Sequence, residues 1–426
     1  MSSLDPTEPQ ITSTDQETIN APFEGPEKLL EIWFQPPPVV PDEVERHGLR
    51  SVPREKWEEM LDIVRCKVLN VIQGKELDAY LLSESSFFIY SYKLILKTCG
   101  TTLNLLGLPR ILEIAREECG LTSVTKCFYS RKSFMFPERQ SGPHRDWKDE
   151  VGYLDKLFPG GAAYTVGKMN GDHWLLWLID STTVSGSAPP SPLQHRLHMT
   201  TTLANQTSGD EQEEEPLDYT LEILMSNLSA SSRQNFYFPP PEPTDPEVEQ
   251  PATEEVTSSP TEAREKALEL SERLGISSIF PASLTQLDAY AFDPCGYSAN
   301  AVITPKKQSI GEGYWTIHVT PEEGWSYASF ECNVPSPPSS DGGDPSYQPS
   351  PYPSLHTLIQ RVVDIFQPGN ISITLFVSNN PPSHNSPIET AQCTFRTALQ
   401  SKGYKRTDKI TYEFSGYDLA FASFKL

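Results

Sequence analysis

The stretch Ala79-Tyr80-Leu81-Leu82-Ser83-Glu84-Ser85-Ser86-Phe87-Phe88-Ile89-Tyr90, followed by Leu94-Ile95-Leu96-Lys97-Thr98-Cys99-Gly100-Thr101-Thr102, decides the fold. It holds three short strand candidates, Ala79–Leu82, Phe87–Tyr90 and Leu94–Thr98, rich in apolar and aromatic residues. The turns between them are too short for a crossover helix, so neighbours pair antiparallel. The pattern recurs along the chain. Further strand candidates are Lys126–Ser130, Ala162–Lys168, His173–Asp180 and Leu221–Met225. Nearer the C-terminus they are Leu287–Phe292, Tyr297–Ile303, Tyr314–Val319, Tyr327–Glu331, Ile371–Val377, Tyr404–Phe414 and Leu419–Phe424.

Helical periodicity lies between these strands. Lys56 to Ile72 sets Trp57, Met60, Leu61, Val64, Val68, Val71 and Ile72 on one side, which reads as an amphipathic helix. Thr102–Glu118, Trp147–Phe158, Ala263–Leu274, Leu355–Phe366 and Glu389–Leu399 read as further helices. The expected class is α+β, with helices outside antiparallel sheets. The two halves echo each other in element order, which suggests an internal duplication.

Net charge is −23, which disfavours a nucleic-acid partner. About half of the acidic excess sits in Asp210–Glu215 and Glu242–Glu262, which read as solvated linker. The seven cysteines include no CxxC pair and no metal-like Cys/His spacing, so neither a disulfide framework nor a metal site is expected. Residues 1–20 are polar, without the basic and apolar regions of a signal peptide. No apolar run reaches the roughly 20 residues of a membrane helix. These features point to a cytoplasmic protein with no membrane partner.

Four stretches rich in Pro, Ser, Thr, Gly or Asn read as disordered excursions: Ser181–Pro216, Pro239–Pro260, Pro335–Pro353 and Asn379–Pro387. The expected organisation is a disordered tail (1–20) and one domain (21–426).

Several blocks, in order, carry a family resemblance. They are Phe23-Glu24-Gly25-Pro26-Glu27-Lys28-Leu29-Leu30-Glu31-Ile32-Trp33-Phe34, Ser83–Ser86, Leu96–Thr102, Phe128-Tyr129-Ser130-Arg131-Lys132, Gly161-Ala162-Ala163-Tyr164, Thr220–Ser226, Phe292-Asp293-Pro294-Cys295-Gly296-Tyr297-Ser298 and Tyr314–Pro321. Together they resemble the eukaryotic S-adenosylmethionine decarboxylases, and the long Pro/Ser insertions resemble those of fungal members. The resemblance implies a four-layer α/β/β/α sandwich with the active site between two antiparallel sheets. It also implies a homodimer of processed αβ protomers.

The implied activity is that of a carboxy-lyase. S-adenosylmethionine would be decarboxylated through a Schiff base to S-adenosyl 3-(methylsulfanyl)propylamine, which feeds spermidine and spermine synthesis. Losing CO2 from an α-amino acid needs an electron sink that ordinary side chains lack. The family makes a pyruvoyl group by self-cleavage, here at Glu84–Ser85, giving a β chain 1–84 and an α chain 85–426. Ser85 would attack the Glu84 carbonyl, Ser298 would support the intermediate, and His318 would take the Ser85 α-proton. Cys99 would reprotonate the product; an unperturbed thiol, with a pKa of about 8.5, carries its proton at neutral pH. Glu24 and Glu27 complete the implied catalytic set.

For substrate, the resemblance implies Phe23 and Phe292 around the adenine and near the sulfonium, and Glu322 on the ribose. Leu82 and Glu84 would supply backbone contacts. A separate acidic site implied for the activator putrescine comprises Glu31, Lys97, Phe128, Ser130, Asp218, Thr220, Glu222, Glu331, Phe376 and Tyr417. Asp218, Thr220 and Glu222, at alternate positions, share one strand face.

Two other readings fit the residues less well. A catalytically inactive homologue serving as a regulatory partner would lack the cleaving serine or its helpers, whereas Ser85, Cys99, Ser298 and His318 are all present. A Cys/His hydrolase built on Cys99 and His318 would want the thiol at a helix N-terminus, and Cys99 follows a strand.

Overall fold

The computed structural model describes residues 23–37, 47–83, 85–180, 218–238, 259–305, 311–335, 350–378, 387–414 and 416–426. The stretches read as excursions lie largely outside these, as do the N-terminal tail and Glu84. Two ends are corrected: Pro260 and Pro387 each begin a helix, because proline is tolerated in a first helical turn.

The first sheet contains β1 (Lys28–Phe34), β2 (Val68–Gln73), β3 (Leu77–Leu82), β4 (Ser85–Tyr90), β5 (Lys93–Thr98), β6 (Val124–Lys132), β7 (Ala162–Gly167) and β8 (His173–Asp180). The second contains β9 (Tyr219–Leu228), β10 (Thr285–Ala291), β11 (Tyr297–Ile303), β12 (Gly313–Thr320), β13 (Tyr327–Cys332), β14 (Pro368–Ser378), β15 (Lys405–Glu413) and β16 (Tyr417–Lys425). Spatial order is β2-β3-β4-β5-β1-β6-β8-β7 in one and β10-β11-β12-β13-β9-β14-β16-β15 in the other. Adding eight to each label of the first sheet reproduces the second, so the duplication is one of topology. Every strand pairing is antiparallel.

Strand alternation sends one face of each sheet under helices and the other toward the opposite sheet. Leu30, Ile32, Phe87, Leu96 and Tyr129 pack with Trp57, Met60, Ile111 and Leu154 of the helices Arg54–Ile63, Leu108–Cys119 and Trp147–Leu157. Ile223, Ile317 and Ile373 pack with Leu270, Leu358, Val362 and Phe395 of the helices Pro260–Leu274, Leu355–Phe366 and Pro387–Gln400. Between the sheets, Leu29, Phe88 and Ile95 meet Val302 and Tyr314, and Trp174 and Leu176 meet Leu224 and Leu419. The four layers are therefore α/β/β/α, as the resemblance implied.

The helix expected over Lys56–Ile72 is shorter. It ends at Ile63, Arg65 takes a positive φ of 65°, and Val68–Gln73 forms β2. Branched Val68, Val71 and Ile72 fit the helical spacing, but edge pairing with β3 satisfies their backbone instead. Lys28–Phe34, not read as a strand, is β1; buried almost throughout, it lacks the apolar/polar alternation of a half-exposed strand.

Candidate active site and acidic inter-sheet site

Ser85 opens β4 with φ at 119°, a backbone region that side chains disfavour at a cost of about 1–3 kcal/mol. Its Oγ is buried and has no hydrogen-bond partner among the described residues. An unpartnered buried hydroxyl on a strained backbone makes no stabilising hydrogen bond and marks Ser85 as a candidate reactive group. Glu84, on the other side of the bond, lies outside the described residues.

The residue beside Ser85 is tied down closely. Ser86 Oγ lies 2.6 Å from Asn300 Oδ1, 3.0 Å from Thr316 Oγ1 and 2.9 Å from His318 Nε2. His318 Nδ1 lies 2.9 Å from Ser298 Oγ, and its Nε2 is also 2.8 Å from Thr316 Oγ1. Burial, assisted by nearby Lys97, holds the imidazole well below its ordinary pKa and hence neutral. The expected pair Ser298 and His318 is thus brought together, one residue away from Ser85. Sequence reading missed Ser86, Asn300 and Thr316. The last two were findable, because Asn300 follows Ser298 and Thr316 precedes His318 by two, sharing their strand faces.

Cys99 is buried just after β5, and its carbonyl accepts a 2.6 Å bond from Thr102. Fully buried Lys28 donates to the next carbonyl, Gly100, at 3.0 Å, and burial lowers the Lys28 pKa to about 8. The Gly100 N–H donates to the Glu24 carbonyl, joining the Glu24 segment to the Cys99 turn. The Glu24 carboxylate accepts from the N–H groups of Met135 and Phe136, at 2.8 and 2.7 Å. Burial raises its pKa, and those two donors oppose the rise. At the rim, the exposed Phe23 donates its N–H to Glu322 at 3.0 Å. Phe292 is half-buried beside Tyr290, and Leu82 is buried at the end of β3.

Deeper between the sheets, Lys97 Nζ sits 2.8 Å from Glu331 and 4.0 Å from Glu27. Burial works against its charge, but Glu331, Glu27 and Glu222 outweigh that and hold the ammonium protonated. Glu27 also accepts from Tyr327 at 3.1 Å and from Ser329, which ties β13 to the segment before β1. Lys97→Met strands two buried carboxylates and is expected to cost about 3–5 kcal/mol. Urea unfolding measures this; a loss below about 1 kcal/mol would show that the carboxylates simply take up protons.

The rest of the acidic set divides between Lys97, which feels Glu331, Glu27 and Glu222, and a neighbouring group around Asp218 and Tyr417. Glu222 accepts from Thr374 at 3.1 Å, and Tyr314 donates to Glu331 at 2.6 Å. Tyr417 donates to Asp218 at 2.8 Å and stacks on Phe376, with Phe128 edge-on to both rings. Ser130 is buried two residues from Phe128, and Thr220 pairs with Phe376 across β9 and β14. Burial raises Glu31 and Glu222 to about 7 each, and neighbouring carboxylates add to the rise.

Sequence reading also missed the cations Lys93 and Lys126. Lys93 Nζ lies 3.8 Å from Glu31 and 3.9 Å from Asp218, and 4.3 Å from the Trp33 ring centroid. Lys126 donates to Tyr417 at 2.9 Å and lies 5.4 Å from Trp33. Strand parity would have found both, since they alternate with Lys97 and with Phe128 respectively.

A family profile described as adenosylmethionine decarboxylase matches residues 20–425. A Xenopus laevis protein named S-adenosylmethionine decarboxylase proenzyme is 35% identical over 403 residues, covering 94% of this chain and 95% of its own. A Saccharomyces cerevisiae protein of the same name is 34% identical over 415 residues, covering 94% and 91%. A solved structure of a Trypanosoma brucei AdoMetDC monomer aligns with a TM-score of 0.47 at 19% identity, covering 80% of this chain and 98% of that one.

Proposed function

The chain belongs to the adenosylmethionine decarboxylase family, and from that premise we propose that it is a proenzyme that builds its own cofactor at Ser85. It decarboxylates S-adenosylmethionine. The observation that carries the proposal is Ser85 itself, a strained and buried hydroxyl without a partner among the described residues.

Ser85 Oγ attacks the Glu84 carbonyl carbon, the peptide C–N bond breaks, and an ester forms as the freed amine takes a proton. His318, neutral and buried against Ser86 and Ser298, takes the Ser85 α-proton. The Cβ–Oγ bond then breaks and Glu84 leaves as a free carboxylate terminus. Water converts the resulting dehydroalanine to a pyruvoyl group with release of ammonia. That group supplies the electron sink required for loss of CO2. Cys99 returns a proton to the substrate α-carbon, and its position is held by Thr102 and by the Gly100 contacts to Lys28 and Glu24.

Phe23 and Phe292 offer aromatic faces to the adenine and the sulfonium. Glu322, already paired to the Phe23 backbone, takes ribose hydroxyls. The acidic inter-sheet site takes putrescine, whose two ammoniums complement carboxylates that lack enough lysines beside them. The working unit is a homodimer of processed protomers, and the compartment is the cytoplasm. Among the described residues, no helix is long and apolar enough to cross a membrane.

Intact-mass measurement tests the proposal. Under denaturing conditions two chains split at 84/85 are expected, the larger with a pyruvoyl cap, while Ser85→Ala stays whole. Under native conditions the pieces stay together, because β1 of the small chain lies between β5 and β6 of the large one. A single uncleaved chain with full decarboxylase activity would overturn it.

A further inference from the structure

Asn300 is fully buried on β11 and touches both flanks of the Ser85 turn. Its Nδ2 donates to the Tyr80 carbonyl on β3 at 2.9 Å, which fixes which way the carboxamide points. Its Oδ1 then faces Ser86 Oγ at 2.6 Å and Thr316 Oγ1 at 2.9 Å. Oδ1 can only accept, so the Ser86 proton goes to it. Thr316 has a second acceptor that cannot donate, the Ala299 carbonyl at 3.0 Å. With both hydroxyl protons committed, the oxygens of Ser86 and Thr316 present lone pairs to His318 Nε2. Nε2 therefore carries the hydrogen of the neutral ring. Nδ1 is left as the basic nitrogen, accepting from Ser298.

We propose that Asn300 is a positioning residue for self-cleavage: its carboxamide sets the His318 tautomer and ties the β3 backbone, upstream of the cut, to Ser86 downstream of it. This rests on the proposed self-cleavage. It adds that a residue with no hydrogen bond to Ser85 Oγ decides which imidazole nitrogen is the base. After the cut, Tyr80 and Ser86 belong to different chains, and Asn300 still holds both.

Two measurements test it. In a Ser85→Ala chain, which cannot cleave, 15N-histidine NMR is expected to show His318, identified by its loss in His318→Gln, with hydrogen on Nε2. Adding Asn300→Ala is expected to move that hydrogen to Nδ1, as Ser86 or Thr316 turns its proton to Nε2. In the Ser85-containing chain, Asn300→Ala is expected to slow cleavage about 100-fold by intact-mass time course. Adding Ser86→Ala to Asn300→Ala is expected to slow it little further, because the two act as one unit. Should Asn300→Ala fail to fold, the near-isosteric Asn300→Leu gives the same readings. Cleavage within twofold of the parent, or an unchanged tautomer in the Ser85→Ala chain, overturns the inference. A parent that never cleaves would instead defeat the self-cleavage reading, while the tautomer measurement still tests Asn300.

Discussion

His318→Ala is expected to stop pyruvoyl formation after the acyl shift, slowing it by about 10²–10⁴-fold. The chain would keep the mass of the intact polypeptide yet contain an ester between Glu84 and Ser85. Hydroxylamine, which cleaves esters and spares peptides, would split it at that point. The expectation follows from the division of labour: attack on the carbonyl needs only Ser85, whereas elimination needs a base for its α-proton. His318 is the neutral imidazole at that turn, 2.9 Å from Ser86 and 2.9 Å from Ser298. Its lowered pKa keeps the base form populated in mild acid, so parental cleavage is expected to persist well below the ordinary histidine range. A His318→Ala chain that acquires its pyruvoyl cap at the parental rate would remove His318 from the mechanism.

Putrescine binding is expected to strengthen sharply as pH rises through 7. Glu31 and Glu222, pushed up to about 7 by burial, hold protons below that value and lose them above it. A dication prefers the ionised pair, so binding releases protons, and affinity falls up to about tenfold per released proton for each pH unit below 7. The stability sign agrees. A carboxylate whose folded pKa is raised stabilises the fold at low pH, and that contribution is lost as pH rises through about 7. The ligand-free protein therefore weakens over the interval in which putrescine begins to stabilise it. The melting shift at fixed putrescine is expected to be larger at pH 8 than at pH 6. Calorimetry in buffers of different ionisation heat should register the released protons. Asp218→Val, which removes the carboxylate paired to Tyr417 and close to Lys93, is expected to abolish both effects. Equal shifts at the two pH values, or a normal response from Asp218→Val, would sink the idea.

Much of the architecture is legible in the sequence. Short neighbouring strands such as Ala79–Leu82 and Phe87–Tyr90 announced antiparallel pairing, and Trp147–Phe158, Ala263–Leu274, Leu355–Phe366 and Glu389–Leu399 fall on helices, whereas Lys56–Ile72 is helical only to Ile63 and Thr102–Glu118 only from Leu108. The failures have a physical cause. Val68, Val71 and Ile72 satisfy helical and strand spacing alike, so only pairing with β3 settles them. Lys28–Phe34 is covered on both faces, and its buried Lys28 and Glu31 break the apolar run expected of such a strand.

By itself the sequence determined the family and which residues share a strand face: Ser298 with Asn300, Thr316 with His318, Lys93 with Lys97. Tertiary structure alone decided which faces meet. Ser86 meets Asn300 across 214 residues, and Lys97 meets Glu331 across 234. Periodicity specifies the side a residue takes but carries no information about the opposite sheet. The positive φ of Ser85 is likewise invisible in its letter, because the paired strands around it impose that strain.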